Sequence, residues 1–240
     1  MKRVSVCMAT YNGALFIEEQ IHSILNQLGL NDELIISDDG STDDTIGLIN
    51  SFQDQRLRLV PSRRYRSTAR NFENALQHAQ GEYVFLSDQD DVWYPDKVET
   101  ILASLASHDL VLTDCRVVDS SGGVMHESFF KNRRSQLGFW RNLWKNSYMG
   151  CCMAFRRDVL SYVLPFPHHI YYHDWWIGLM VELRGKPFLY GQPLILYRRH
   201  GSNMTPTGES SHNWKIRIQH RFWLSWSIVK RTIALRNAIL

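Results

Sequence analysis

The chain has 240 residues, of which 44% are hydrophobic, 12% aromatic and 21% charged, with 14 Gly and 7 Pro. These fractions exclude a disordered or collagen-like chain and fit one large globular domain with an appendage. The net charge of +3, from 27 basic and 24 acidic residues, excludes a polycation built for nucleic acid.

Met1-Lys2-Arg3 leads into the apolar run Val4–Ala9, which is too short for a signal-peptide core. No window approaches the ~18 uncharged apolar residues of a spanning helix, so a cytoplasmic location is expected. Cys7, Cys115, Cys151 and Cys152 show no Cys-x-x-Cys spacing. A disulfide scaffold or structural zinc site is not expected, and a reducing compartment is.

Val4–Ala9 reads as a buried strand and Ala14–Leu28 as a helix with Leu15, Ile21, Ile24, Leu25 and Leu28 on one side. Glu33–Ser37 is a second strand, followed by a loop rich in Ser, Thr and Asp and a helix to about Phe52. Leu57–Val60, Ala69–His78 and Glu82–Ser87 follow as strand, helix and strand. Gly150–Phe155 reads as a further buried strand, with its cysteine pair as small-residue packing. The alternation predicts an α/β fold with a mostly parallel sheet flanked by helices. Ligands of such sheets bind beyond the carboxyl ends of the strands. There the sequence places Thr10-Tyr11-Asn12, Asp38-Asp39 and Asp88-Gln89-Asp90-Asp91.

The first strand lacks a G-x-G-x-x-G turn and there is no Walker A segment. A nucleotide diphosphate here needs a metal ion held by carboxylates. Asp88, Asp90 and Asp91 would repel one another without a cation or donor among them, and hard oxygen ligands suit Mg²⁺ or Mn²⁺. Asp90 or Asp91 could instead cap a helix starting near Pro95; one can cap while another coordinates.

Three segments then carry a resemblance: Val4–Gly13, Ile36-Ser37-Asp38-Asp39-Gly40-Ser41-Thr42-Asp43, and Gly81-Glu82-Tyr83 with Asp88-Gln89-Asp90-Asp91-Val92-Trp93. In order and spacing they resemble family 2 glycosyltransferases of the GT-A fold over residues 1–115. Gly150–Arg157, His173-Asp174-Trp175-Trp176 and Tyr197-Arg198-Arg199-His200-Gly201-Ser202-Asn203 are similar to bacterial rhamnosyltransferases and extend the resemblance to about residue 203.

The resemblance implies a metal-dependent, inverting enzyme. It would move a sugar, rhamnose from dTDP-rhamnose or a hexose from a UDP-sugar, to a hydroxyl of a lipid-linked cell-surface saccharide such as O-antigen. By the same resemblance Thr10, Tyr11 and Asp39 hold the pyrimidine base, and the Asp39 carboxylate accepts its ring N–H. Asp88 reaches the ribose, and Arg70, with Arg66 as competitor, lies near the base or phosphates. Asp90 and His200 ligate Mg²⁺ or Mn²⁺. Asp174 is the catalytic base, in a His-Asp pair where the family usually reads Glu-Asp. Phe139, Trp140, Trp144 and Tyr148 suit sugar rings, a lipid carrier or simply a core. A sugar nucleotidyltransferase and a non-catalytic scaffold are the competing readings; the first would show a glycine-rich, basic segment where Tyr11-Asn12-Gly13 stands.

Residues 1–211 form the expected GT-A domain, with a nucleotide-binding half (1–115) and an acceptor and catalytic half (116–211). Residues 212–240 carry Lys215, Arg217, Arg221, Lys230, Arg231 and Arg236 with no acid, hence +6. Phe222, Trp226, Val229 and Ile233 recur at helical spacing, with Trp214, Trp223 and Leu224 adding bulk. Such a basic amphipathic helix either lies at the inner face of the cytoplasmic membrane or packs on protein.

Overall fold

A computed structural model describes residues 3–201 and 214–237. Among the described residues nine strands form one sheet: β1 (Val4–Thr10), β2 (Glu33–Asp38), β3 (Leu57–Leu59), β4 (Tyr83–Asp88), β5 (Val92–Trp93), β6 (Leu110–Asp119), β7 (Val124–His126), β8 (Met153–Arg156) and β9 (Pro187–Arg199). The helices are α1 (Ile17–Leu25), α2 (Thr45–Ser51), α3 (Thr68–Gln77), α4 (Lys97–Leu105), α5 (Phe129–Arg133), α6 (Phe139–Trp144), α7 (Leu160–Val163), α8 (His173–Arg184) and α9 (Trp214–Asn237).

The strand order is β3-β2-β1-β4-β8-β6-β9-β5, with β7 beside β6. All seven residues of β1 and all six of β2 are buried, which is why their centres, residues 6–9 and 34–36, are unbroken apolar runs rather than alternating ones. The N-terminal part, β3-β2-β1-β4, is parallel throughout. The second part is mixed. β8 runs antiparallel to both β4 and β6, β9 is parallel to β6, and β5 is antiparallel to β9. One core fills the space between sheet and helices, with Phe72, Phe85, Phe155 and Trp176 among its largest fully buried side chains.

The structure moves several boundaries. Helix α1 starts at Ile17, because Gly13–Phe16 forms a turn closed by Phe16 N–H on the Gly13 carbonyl (3.0 Å); Leu15 lies outside the helix and is exposed. Helix α4 has Asp96 at its N-cap, and β5 separates Asp90 and Asp91 from it, so neither acid caps it. Gly150–Cys152 is a 3-10 turn, and the strand begins only at Met153.

Helix α9 is apolar on two sides. Leu224 and Ile228 are buried against the domain, whereas Phe222, Trp226, Val229 and Ile233, the stripe visible in sequence, are exposed.

Candidate active site

The loops after β1 and β2 hold each other in place. Thr10 donates its hydroxyl to Asp38 Oδ2 (2.9 Å), and Asp38 Oδ1 accepts the Gly40 and Ser41 amides (2.9 and 2.8 Å). Asp39 is buried and accepts three successive amides: Tyr65 and Arg66 (3.0 Å) on Oδ1, Ser67 (3.0 Å) on Oδ2. Arg66 is left-handed, at φ 52°, which lets consecutive amides turn toward one carboxylate. Tyr11 stands half-exposed at the rim.

Gln89 joins β1 to β4. Its Oε1 accepts the Tyr11 amide (2.8 Å) and its Nε2 donates to the Tyr11 carbonyl (3.0 Å). A Cβ at Gly13 would lie 2.4 Å from that Oε1, so residue 13 must be glycine for the amide to seat. Asn12, at φ 50°, is a residue type that tolerates that conformation.

Asp90 and His200 meet although 110 residues apart: His200 Nε2 and Asp90 Oδ2 are 2.8 Å from each other. The His200 ring stacks on Phe16 at 4.7 Å. Phe16 also carries the Arg198 guanidinium, 4.9 Å from its centroid, and Arg198 pairs with Glu19 (2.6 Å). The β5–β9 ladder, Val92 opposite Leu196, brings this end of β9 beside the acids. Asp91 is buried; its Oδ1 accepts the Arg198 amide (3.2 Å), and its Oδ2 has no hydrogen-bond partner. Burial, then the charges of Asp90 and Asp88, pushes the Asp91 carboxyl well above the usual range.

Asp88 is part-buried at the end of β4. Burial first, then the carboxylates of Asp90 and Asp174, pushes its carboxyl up to about 8. Asp174, in the first turn of α8, lies beside Gly150, where an added Cβ would be 3.8 Å from the Asp174 Cβ, and the next residue, Cys151, has its Sγ within 4.8 Å of an Asp88 oxygen. Burial pushes Asp174 up to about 7, against the pull of the Trp175 and Gly150 amides. His173 beside it is buried, stacked on Phe72 at 4.1 Å and held down to about 3 by burial. It is therefore a neutral core residue, and a Cβ at Gly150 would reach 2.7 Å from its Nε2. Trp175 and Trp176 donate to the Asn142 and Val163 carbonyls (2.7 and 2.9 Å), fixing the start of α8.

Beneath the acids lies Lys97, fully buried, donating to the Cys151 carbonyl (3.1 Å) with its ammonium 3.8 Å from the Trp93 centroid. Burial pulls it down to about 8.

Two groupings offer metal ligands. One is Asp90 with His200. The other is Asp88, Asp91 and Cys151, whose ligand atoms lie within 4.8 Å of one another. Carboxylate oxygens with one imidazole, and a buried carboxylate oxygen left unpartnered, fit a hard divalent cation such as Mg²⁺ or Mn²⁺.

Thus Thr10, Tyr11, Asp39, Asp88, Asp90, Asp174 and His200 line the strand-end rim or its loops. Arg70 does not join them. Its guanidinium binds Glu73, the Phe166 carbonyl (3.1 Å) and the Pro167 carbonyl (2.9 Å), which corrects the expectation of a base or phosphate contact: protein oxygens take the charge. Tyr148 is core, donating to Glu182 (2.7 Å), while Trp140 and Trp144 are exposed. Ser202 and Asn203 lie outside the described residues. Sequence reasoning missed Gln89 as the clip between β1 and β4; an uncharged residue inside an acid cluster was its only signal. Nothing local marked Lys97.

The description "Glycosyl transferase family 2" matches residues 5–164. Among characterised relatives, a dTDP-rhamnosyl transferase, RfbG of Shigella flexneri, is 29% identical over 82% of this chain and 72% of its own. The Escherichia coli UDP-Glc:alpha-D-GlcNAc-diphosphoundecaprenol beta-1,3-glucosyltransferase WfgD is 27% identical over 72% of this chain and 68% of its own. Staphylococcus aureus TarS 1–349 in complex with UDP-GlcNAc superposes with a TM-score of 0.68 at 19% identity, over 87% of this chain. Mannosyltransferase PcManGT from Pyrobaculum calidifontis, with GDP-Man and Mn²⁺, gives 0.65 at 24% identity over 95%. This chain spans 62% and 64% of those two solved chains. The fold is GT-A, and the chain belongs to glycosyl transferase family 2.

Proposed function

We propose that the chain transfers a sugar, with inversion, from a pyrimidine nucleoside diphosphate donor to a hydroxyl of a lipid-linked saccharide. The observation that carries this reading is the grouping of Asp88 at the end of β4, Asp90 in the turn after it, His200 just past β9 and Asp174 in the first turn of α8 around one rim.

In this reading Thr10, Tyr11 and Asp39 wall the base. Asp39 keeps lone pairs beyond its three amide bonds to accept a ring N–H, and Asp88 accepts from the ribose. Asp90 and His200 hold Mg²⁺ or Mn²⁺, which when bound offsets the charge of the departing diphosphate. Asp174 removes the proton from the attacking hydroxyl. Its carboxyl, pushed up to about 7, has the basicity that task needs near neutrality.

dTDP-rhamnose is the favoured donor, supported by the relative named for that transfer and by the Arg198-Arg199-His200 segment. A UDP-hexose is the alternative, supported by the UDP-Glc-dependent relative. A panel of dTDP- and UDP-sugars tests the proposal, each incubated with Mg²⁺, Mn²⁺ or EDTA. Release of nucleoside diphosphate from one donor, lost in EDTA, is expected. Equal turnover in EDTA removes the metal role. Release of pyrophosphate from sugar phosphate and nucleoside triphosphate would mark a nucleotidyltransferase instead, and no turnover at all a scaffold.

A further inference from the structure

The two apolar sides of α9 have different fates. Leu224, Ile228, Arg231 and Leu235, at spacings of four, three and four, turn toward the domain. Leu224 and Ile228 are buried there, and Arg231 donates to the Tyr162, Leu164 and Pro165 carbonyls. On the opposite side Ile218, Phe222, Trp226, Val229 and Ile233 form one stripe, each 47–62% exposed. Helix α6 extends the apolar surface. Its Trp140 and Trp144, one turn apart, are 80% and 74% exposed. Arg221 ties α6 to α9, with its guanidinium 5.1 Å from the Trp144 ring and a bond to the Trp144 carbonyl (2.6 Å).

We propose that α6 and α9 together form a docking surface for an anionic lipid bilayer. Charge selects this occupant. Helix α9 carries six Lys and Arg residues and no acid. A second copy laid along the same stripe would bring two such helices together, and their like charges oppose it. An anionic bilayer attracts them, at a strength that falls with salt. Exposed Trp and Phe beside Lys and Arg suit the boundary between headgroups and acyl chains. No described helix is long and apolar enough to cross a membrane, so the helix lies along the surface.

The placement also serves the proposed reaction. The inner side of α9 rests on the segment that leads into Asp174: His220 stacks on Tyr171 at 5.0 Å, and Trp223 lies 4.6 Å from His169. A bilayer on the outer side puts a lipid-linked acceptor near that acid. This last point rests on the proposed transferase reading; the docking surface does not.

Flotation of the full chain with vesicles tests it, comparing phosphatidylglycerol–phosphatidylethanolamine with phosphatidylcholine. Binding to the anionic vesicles is expected to be about tenfold stronger at low salt and to weaken as salt rises. Phe222→Ser with Val229→Ser, and separately Lys230→Glu with Arg236→Glu, should each weaken it about fivefold or more. Light scattering follows the association state. The proposal is overturned if the wild-type chain does not float with anionic vesicles, or floats equally with neutral ones. It is also overturned if the Phe222/Val229 variant dissociates a dimer without losing flotation, which would give the stripe to a second copy. Donor hydrolysis in solution is measured in parallel. Flotation without hydrolysis leaves the surface standing and sinks only the transferase reading; hydrolysis without flotation does the reverse.

Discussion

The two halves of the rim use polar side chains in opposite ways. In the N-terminal half they are spent on backbone. Asp38 and Asp39 each accept main-chain amides, Asn12 accepts the Thr42 amide, and Gln89 spans both polar atoms of Tyr11. This makes a stiff wall, in which, under the proposed function, a nucleotide meets groups already in position. In the C-terminal half the structural work is done by aromatic rings and indole N–H groups, and Asp174 is left burial-shifted beside Asp88. Under the proposed function, binding geometry is set by satisfied polar groups and proton chemistry is kept at a group that burial holds out of its usual range.

Substitutions can break this contrast. The largest effect is expected at Asp174: Asp174→Asn should lower transfer by about a thousandfold while nucleoside diphosphate binding, read by calorimetry, stays within about twofold of wild type. Loss of binding with loss of rate would erase the division of labour. Next comes Arg70→Ala. It leaves the buried Glu73 and two carbonyls short of a donor and should cost about 2–3 kcal/mol of stability in urea melts, with nucleotide affinity unchanged. An affinity loss without a stability loss would return Arg70 to the ligand.

Gln89→Ala removes both clip bonds. It should cost about 1–2 kcal/mol of stability and weaken nucleotide binding several-fold, with the pH dependence of turnover unaltered. A shifted pH profile would mean that the clip also tunes the acids.

The smallest effect is one of pH. Asp174 has a folded-state value of about 7 against an ordinary 3.8, so the folded chain binds this proton more tightly. Its contribution to stability is fully present below about pH 4 and is lost as pH rises through about 7. With Asp174 as the proposed base, turnover needs its ionised form and should rise over the upper part of that window. Asp174→Asn should therefore raise Tm at pH 8 by about 2 °C or more relative to its effect at pH 4, read by calorimetry. A Tm difference independent of pH would place the carboxyl outside the buried environment.

Much of the first half is legible because its signals are local. Val4–Ala9 is apolar but for Ser5 because both faces of β1 are covered, and the acids after β2 and β4 mark those strand ends. The second half is less legible because partners chosen at long range decide it. That β8 runs antiparallel between β4 and β6 depends on residues 110–112 and 153–155 meeting, which no periodicity encodes. Arg70 reads the same in sequence whether it faces a phosphate or the Phe166 carbonyl. Helix α9 shows one stripe to a reader looking for amphipathicity; the second, Leu224 and Ile228, emerges only when something is seen to cover it.

The path of β9 bears on how such enzymes can be recombined. It runs parallel to β6 and pairs antiparallel with β5, so its far end stands beside Asp90 although it belongs to the last quarter of the sequence. A chimera that joins the first 115 residues of one relative to the remainder of another would split Asp90 from the His200 it contacts. Crossover points that exchange residues 1–93 together with 192–200 would carry the pair intact, and donor preference should travel with that composite piece rather than with either sequence half.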